Sequence, residues 1–562
     1  MTGRLLQYAL TSQRFYIMKL PIGYDNFEDL RNDQCYYVDK TDIIFDMLSK
    51  GRYYFLSRPR RFGKSLLVST IQCLFEGKKE LFKGLHIEDK WDWSKKTPVV
   101  KIGFTGDYKH PNDLEDDLNK QMKALEEEHG AKIRDSSTPT YRFERIVRHL
   151  HEQTGEQVSV LIDDYDYPYF NHFMNTEDLE LAEKNHDYID GFYDTIKYCS
   201  ESEDVGFIFV TGVVGFSHAC PLRGGLDNLL DINAYEIYGN ICGFTDHEID
   251  SVFAKEIKTL DRDKIRHWYS GYSWNNGEEK LYNPYDILHL LDTQKFDDWW
   301  FQKETPSFMY KRLLTVCSFS LEGMESRENL EFSGSENSDI TSFDLEYLQY
   351  IGAKAIFFQL GYITIIQKEA TIYSPKYFLD FPNPYIRNGV YKGLLDVLSG
   401  DAERAKDQGK VLLNLLAKND FATFEKTLHS YFNSLPHEFR ETTRAESYFH
   451  SLLLTILYAI KSHYTYQHTI ESTSTITIHK AGQTFCMKFQ RLINYPEENL
   501  NEMKEEFLLK AIKDMKDDHY VKKCKESKDP LHLLAFLIIY PNRNFNGFKH
   551  QIFHKTSNNE TK

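Results

Sequence analysis

Three short runs in this chain end in residues that can do chemistry, and each has an apolar lead-in that must carry them. Tyr53 to Ser57 is a compact apolar and aromatic run, followed at once by Arg58, Pro59, Arg60, Arg61, Phe62, Gly63, Lys64 and Ser65. Leu66, Leu67, Thr70, Ile71 and Leu74 then recur at helical spacing. A strand that gives way to a helix at Gly63, Lys64 and Ser65 presents backbone N–H groups and the positive end of a helix dipole at one spot, a seat for phosphate. In such a seat Lys64 reaches the β and γ phosphates of a nucleotide, and the Ser65 hydroxyl goes to Mg2+. The full pattern of the loop is G-x-x-x-x-G-K-[ST], and Arg58 stands where its first glycine belongs. The plainer alternative for these three residues is a helix start beside a basic side chain.

The second run, Val158 to Ile162, is continuously apolar and ends in Asp163 and Asp164. A buried parallel strand reads this way, and it delivers its acids to the C-terminal edge of a sheet. Asp163 is then placed to hold the metal ion, usually through water, and Asp164 to orient or deprotonate an attacking water. A strand that simply ends in an acidic turn is the alternative. The third run, Val205 to Val210, ends in Thr211 and Gly212. Thr211 is placed to sense a γ phosphate, although Thr-Gly also ends many ordinary strands at a turn. With Pro98 to Ile102, these runs give several parallel-type strands separated by helical stretches, the layout of a P-loop α/β domain.

A chain of 562 residues exceeds one hydrophobic core and divides into roughly three or four domains. With 41% hydrophobic and 27% charged residues it can build cores, which excludes wholesale disorder. The aromatic residues are spread along the chain, as core and interface filling rather than one base-stacking platform. A net charge of -16 excludes a protein that coats nucleic acid indiscriminately, since that needs many cations against phosphates. Nucleic acid as a partner is therefore not indicated by charge, although residues 441–562 carry a small basic excess compatible with a local anion site. The eight cysteines form no close pair, so no zinc knuckle or disulfide framework is suggested, and a reducing compartment fits. No stretch approaches the roughly 18 apolar residues of a membrane span and no secretory signal opens the chain, so the expected location is cytoplasmic.

The ordered motifs resemble those of the AAA-ATPase-like proteins that carry a C-terminal domain of the PD-(D/E)XK nuclease superfamily. The likeness takes in Leu20 to Tyr24, Tyr37 to Thr41, the Arg58–Ser65 loop, Leu161 to Asp166, Phe209 to Val213 and Ile241 to Thr245. It continues through Trp268 to Tyr272, Tyr282 to Tyr285, Thr305 to Phe308 and Gln359 to Tyr362. The resemblance implies an ATPase core, a helical lid and a winged-helix-like segment, with an arginine in place of the first loop glycine as a family habit. It implies ATP and Mg2+ as ligands. It also implies a catalytic glutamate after the metal-binding aspartate. Here that position is Asp164, one methylene shorter, a change that bears on the positioning of an attacking water rather than on nucleotide binding.

Independently, Thr245 and Glu248 make a capping box ahead of Ile249, Val252 and Phe253 at helical spacing. Gly271, Asn275 to Gly277 and Asn283-Pro284 mark a turn-rich break. A helical pattern from Leu345 to Leu360 precedes a strand-like run, Gly361 to Ile365. Glu322 to Ser342, rich in serine and acid, is expected to be a mobile loop. The expected division is an extension over 1–17, the core over 18–240, the lid over 241–320, the loop and winged-helix-like segment over 321–395, a helical connector over 396–440 and the nuclease-like domain over 441–562.

In that last domain a helix opens at Glu446, Thr473 to Ile478 and Thr484 to Phe489 read as strands, and Leu533 to Tyr540 as the final strand. A Mg2+-dependent nuclease of this kind needs an aspartate on one strand and an acid and a lysine, one residue apart, on the next. The resemblance aligns those positions with Thr475, Lys488 and Gln490, so all three are lost, and Lys488 puts a cation where a metal ion belongs. Glu446 alone matches an acid of the first helix. The expectation is an ATP-binding, ATP-hydrolysing switch with a disarmed nuclease-like domain and a protein client or oligomeric partner. An ATP-regulated DNA nuclease and a nucleotide-binding scaffold without turnover stand as the alternatives.

Overall fold

The computed structural model describes residues 18–110, 112–134, 137–174, 179–215, 228–301, 310, 331–333, 353–369, 376–435, 445–460, 467–472, 475–492, 500–517, 530–539 and 544–553. Five parallel strands make the first sheet: β1 (Tyr53–Ser57), β2 (Val99–Gly103), β3 (Val158–Asp163), β4 (Val205–Gly212) and β5 (Leu230–Asp231), in the order β2-β3-β4-β1-β5. Every residue of β3 is buried, which is why that strand reads as an unbroken apolar run rather than as an alternation. In register, Ile162 faces Val210, Leu56 faces Thr211 and Ser57 faces Gly212. All C-terminal strand ends therefore meet at one edge, and the three chemistry-bearing runs end there together.

Among the described residues, seven α-helices accompany this sheet: α1 (Phe27–Asn32), α2 (Thr41–Lys50), α3 (Lys64–Phe75), α4 (Asp113–His129), α5 (Pro139–Thr154), α6 (Tyr167–Met174) and α7 (Leu179–Glu201). A helical unit follows, with α8 (Asp246–Val252), α9 (Arg262–Tyr269) and α10 (Pro284–Thr293) around the short pair β6 (Ser270–Tyr272) and β7 (Leu281–Tyr282). It has its own apolar cluster, built from residues such as Phe244, Ile249, Phe253, Tyr269 and Leu290. The expected capping box is formed: Glu248 N donates to Thr245 Oγ1 at 3.2 Å and Thr245 N to Glu248 Oε2 at 2.7 Å. Asn283 caps α10, accepting from Tyr285 N at 2.9 Å, with Pro284 at the first helical position.

Downstream, β8 (Glu331–Ser333), β9 (Thr364–Glu369) and β10 (Lys376–Asp380) form an antiparallel sheet in the order β8-β10-β9, beside α11 (Ala353–Gln359). The mobile loop expected over 322–342 is corrected in its middle, where Glu331–Ser333 pairs with β10; its other residues lie outside the described ones. Among the described residues, four helices, α12 (Pro384–Ser399), α13 (Ala402–Ala417), α14 (Phe421–Asn433) and α15 (Ala445–Ile460), lead to a second five-stranded sheet. That sheet runs β11 (Gln467–Ser472), β12 (Thr475–Lys480), β13 (Gln483–Leu492), β14 (Leu531–Ile539), β15 (Asn544–Phe553), with α16 (Leu500–Asp517) crossing between the parallel pair β13 and β14. Leu533 to Tyr540 is thus not the final strand. The start of β15, with Asn544, Asn546 and Gly547, is poor in strand-forming residues, and the strand pairs antiparallel with β14 along its length. Among the described residues one apolar cluster runs from Phe27 through Phe55 and Val160 to Leu394, Ile478 and Phe536, and no helix is long and apolar enough to cross a membrane.

Candidate functional site

Beyond β1 the chain keeps to the sheet for one more residue, Arg58 N donating to Gly212 O at 3.1 Å. The Arg58 side chain then turns inward. It is 1% exposed, donates to Ser57 O at 2.9 Å, Asn233 Oδ1 at 3.3 Å and Tyr238 O at 3.3 Å, and lies 4.8 Å over Trp274. Burial lowers its pKa to about 10. Pro59 packs on Gly361, where an added Cβ would come within 2.7 Å of the proline ring. Arg58 and Pro59 therefore belong to the loop by backbone, and neither lines the cavity that opens beside it.

That cavity, about 550 Å³, is lined by Arg60, Arg61, Phe62, Gly63, Lys64 and Ser65 along one wall. Phe62 is buried edge-on against Tyr272 and Trp274, which anchors the loop. Arg60 accepts from Trp300 Nε1 at 3.1 Å through its carbonyl, and the Arg61 guanidinium lies 4.3 Å over Tyr285. Gly63 has φ +98°, in the left-handed region that only glycine enters cheaply, and it caps α3. The first intrahelical bond runs from Leu67 N to Gly63 O at 3.0 Å, so the amides of Lys64, Ser65 and Leu66 precede the helical ladder.

Lys64 is buried, with Nζ 3.3 Å from Pro59 O and 3.9 Å from Asp164 Oδ1. Asp164 lines the cavity from a left-handed backbone, φ +50°. Asp163 and Thr211 are both buried and do not line it; Thr211 Oγ1 donates to Asp163 Oδ1 at 2.7 Å across the adjoining ends of β3 and β4. A further acid, Asp166, is buried beside them. Burial first, then the charge of Asp164, raises its pKa to about 6 against the amides of Val214 and Val213.

The opposite wall escaped the reading of the sequence. Tyr24, Tyr37 and Val38, which precede β1, line it together with Phe244, Phe253 and Leu288 of the helical unit, and Val38 packs in one apolar cluster with those three. Lys40 Nζ reaches Glu248 Oε1 of the capping box at 2.5 Å, and Tyr36 donates to Glu256 at 2.6 Å. Burial and then Glu256 push the Tyr36 hydroxyl up to about 12. Tyr37 to Thr41 stood out only as a motif. The signal that it lines a site is its pairing with residues 208 positions away, which no local periodicity reports.

The residues present fit a nucleotide with Mg2+. The volume lies within the roughly 300–1,000 Å³ of small-ligand pockets. One wall offers helix-start amides, an ammonium and a hydroxyl, and the other is apolar and aromatic, the division a phosphate chain and a base require. Among the described residues no three His, Cys, Asp or Glu side chains gather into an all-protein metal cage. Mg2+ is suited by such a sparse set, one hydroxyl and one or two carboxylates completed by phosphate oxygens.

Next to the cavity-lining Tyr285, Asp286 is buried and accepts from Trp300 N at 2.9 Å. Burial, opposed by that amide and reinforced by Asp298, raises its pKa to about 7. The folded state therefore holds this proton more tightly than the unfolded chain, which adds stability at acid pH that is lost as pH rises through about 7. Asp286→Asn keeps the acceptor without the charge. It is expected to melt about 5 °C higher than the parent at pH 8, with the gap narrowing toward about pH 4, the ordinary carboxylate range. Melting curves with the same gap at every pH would refute this assignment.

In the second sheet, Thr475 of β12 pairs directly with Lys488 of β13, and Gln490 follows opposite Leu537 of β14. Lys488 Nζ lies 3.7 Å from Asp514 of α16. Glu446 falls in the first turn of α15; its side chain, and those of Thr475 and Gln490, are outside the described residues.

A protein described as "Uncharacterized protein in vnfD 5'region", from Azotobacter chroococcum mcd 1, is 32% identical over 538 residues, 94% of this chain and 98% of that protein. A solved structure titled as the Aeropyrum pernix ORC1 protein in complex with DNA aligns with 63% of this chain and 90% of its own at 11% identity, with a TM-score of 0.24, too distant to bear on fold or function. The family model described as "Predicted AAA-ATPase" matches residues 21–219, which span the first sheet up to β4, the phosphate-type loop and both aspartates. With a relative matched nearly end to end and that model lying on the strands that build the cavity, the chain belongs to the AAA-ATPase-like family.

Proposed function

We propose that this protein binds ATP with Mg2+ in the cavity between the first sheet and the helical unit, and hydrolyses it. The observation that carries the reading is the convergence of the Gly63–Ser65 helix start, Lys64 and Asp164 on one cavity wall. In this reading Arg60 to Ser65 embrace the phosphates by backbone and Lys64 by charge, Ser65 holds the ion directly and Asp163, behind the cavity wall, holds it through water; the ion neutralises phosphate charge when bound. Asp164 orients or deprotonates the attacking water, and Thr211 acts through the Asp163 carboxylate to which it donates. The base rests on the apolar wall between the Tyr37–Val38 segment and α10.

The same cavity couples nucleotide to the helical unit, since Phe244, Tyr285 and Leu288 line it. Closure of that unit on nucleotide, passed to the downstream segments, makes a switch. Its expected partner is a protein client or another copy of the chain, and the acidic charge does not favour nucleic acid. The second sheet is read as a disarmed nuclease-like domain, because Thr475, Lys488 and Gln490 supply no carboxylate at the positions the resemblance aligns with metal ligands.

Titration of the full chain with ATP, with and without Mg2+, alongside phosphate release, tests this. Mg2+-dependent binding at or below about 100 µM with steady phosphate release is expected. Binding without release favours a scaffold, Mg2+-dependent cleavage of DNA favours the regulated nuclease, and no binding overturns the proposal.

A further inference from the structure

We infer that Asp166 is a positioning residue for the phosphate end of the site, its carboxylate fixing the strand end that carries Thr211; this rests on the reading of the cavity as an ATP site. Asp166 lies in the turn between β3 and α6 and is 1% exposed. Its two oxygens accept from consecutive amides beyond β4, Val213 N at 3.0 and 3.2 Å and Val214 N at 2.9 Å. The same turn is bound to that strand twice more. Tyr165 N donates to Thr211 O at 2.9 Å, and Tyr165 OH to Val214 O at 2.8 Å. A Cβ on Gly212 would lie 2.5 Å from the Tyr165 ring and 2.6 Å from Asp166 Oδ1, so the two segments touch at a residue that has no side chain. The next amide, Gly215 N, donates to Gln359 Oε1 of α11 at 2.8 Å.

A buried carboxylate is a costly way to tie two loops when apolar packing would serve. It does supply direction. Two amides fixed on one carboxylate set the rotation of the peptides that follow Thr211, and through the Thr211–Asp163 hydrogen bond they set the orientation of the acid read as the metal ligand. Asp166 itself does not line the cavity, and its oxygens face the strand end. Its effect on nucleotide is therefore indirect, and it falls at the γ-phosphate end rather than at the apolar wall.

The test uses the full chain and its Asp166→Asn variant, with Lys64→Ala as the control for the site itself. Dissociation constants for Mg·ATP and Mg·ADP are measured with phosphate release at saturating ATP. Asparagine can accept one of the two amides but turns its own N–H groups toward the other. The expected result is ADP affinity within about threefold of the parent, a preference for ATP over ADP reduced at least about fivefold, and kcat reduced at least about tenfold with KM little changed. Equal loss of both nucleotides in step with the folded fraction would mark Asp166 as merely structural, and an unchanged preference and kcat would also overturn the inference. Should the parent bind neither nucleotide, the site reading falls and takes this inference with it; should Lys64→Ala lose binding while Asp166→Asn keeps the parent's ATP preference and kcat, the site stands and Asp166 alone is refuted. If Asp166→Asn melts too low to assay, Gln359→Leu removes the acceptor for the next amide. It is then expected to lower the ATP preference about threefold, and no change overturns the proposal.

Discussion

Lys64→Ala is expected to weaken ATP binding about 10- to 100-fold, the effect of losing one hydrogen-bonded charge against phosphate, and to end phosphate release at any attainable ATP concentration. The Lys64 ammonium is 5% exposed and sits on the cavity wall, 3.3 Å from Pro59 O and 3.9 Å from a partly exposed Asp164. An ion pair at that distance with a solvated partner contributes little to folding. Thermal melting should therefore change by no more than a few degrees, which separates loss of function from loss of fold. Lys64→Arg is a sharper variant: it keeps the charge but brings a planar fork into a space shaped for a compact ammonium, and it should bind ATP less well than the parent. Calorimetric titration of parent and both variants against ATP decides the matter. ATP affinity that survives in Lys64→Ala would remove the phosphate seat from α3 altogether.

How far the sequence discloses this arrangement depends on the reach of each interaction. Strands β1, β3 and β4 are legible because parallel strands covered on both faces must be continuously apolar, and each ends in a residue type apolar burial cannot explain. The Thr245–Glu248 box is legible because its two bonds join neighbours in the chain. The Thr475–Lys488 pairing follows from the turn at Ala481 and Gly482, which sets the hairpin register. Arg58 shows where local reasoning stops. An arginine inside a phosphate-type loop reads as a ligand, yet Asn233, Tyr238 and Trp274, all far along the chain, surround its guanidinium and turn it into the core. The aromatic wall of the cavity has the same origin, since the segment before β1 gains its role only when the helical unit packs against it. Asp163 and Asp164 divide in a way the doublet alone does not tell. Alternation along the strand buries the first against Thr211, and the left-handed turn at the second carries its side chain out to the cavity.

That left-handed turn governs the second large effect. Asp164→Asn is expected to lower kcat for ATP hydrolysis about 100-fold or more, within the range of a general base or water-orienting group, while the dissociation constant for ATP shifts less than about threefold. Asparagine is the informative choice because Asn and Asp both tolerate positive φ, so the backbone at φ +50° is kept and only the charge and its basicity are lost. Asp164→Glu, which restores the longer acid the family resemblance leads one to expect, brings two opposed effects. The extra methylene extends the carboxylate toward the cavity, but glutamate lacks the short side chain that eases a left-handed backbone, at a cost of about 1 kcal/mol. A gain in kcat with a lower melting temperature would mean that reach limits the parent. A loss of both would mean that Asp164 and its strained turn work as a unit. Phosphate-release rates at saturating ATP for the three proteins, beside their melting curves, distinguish these outcomes. If Asp164→Asn turns over as fast as the parent, the water is handled elsewhere and Asp164 serves instead to steady Lys64, 3.9 Å away.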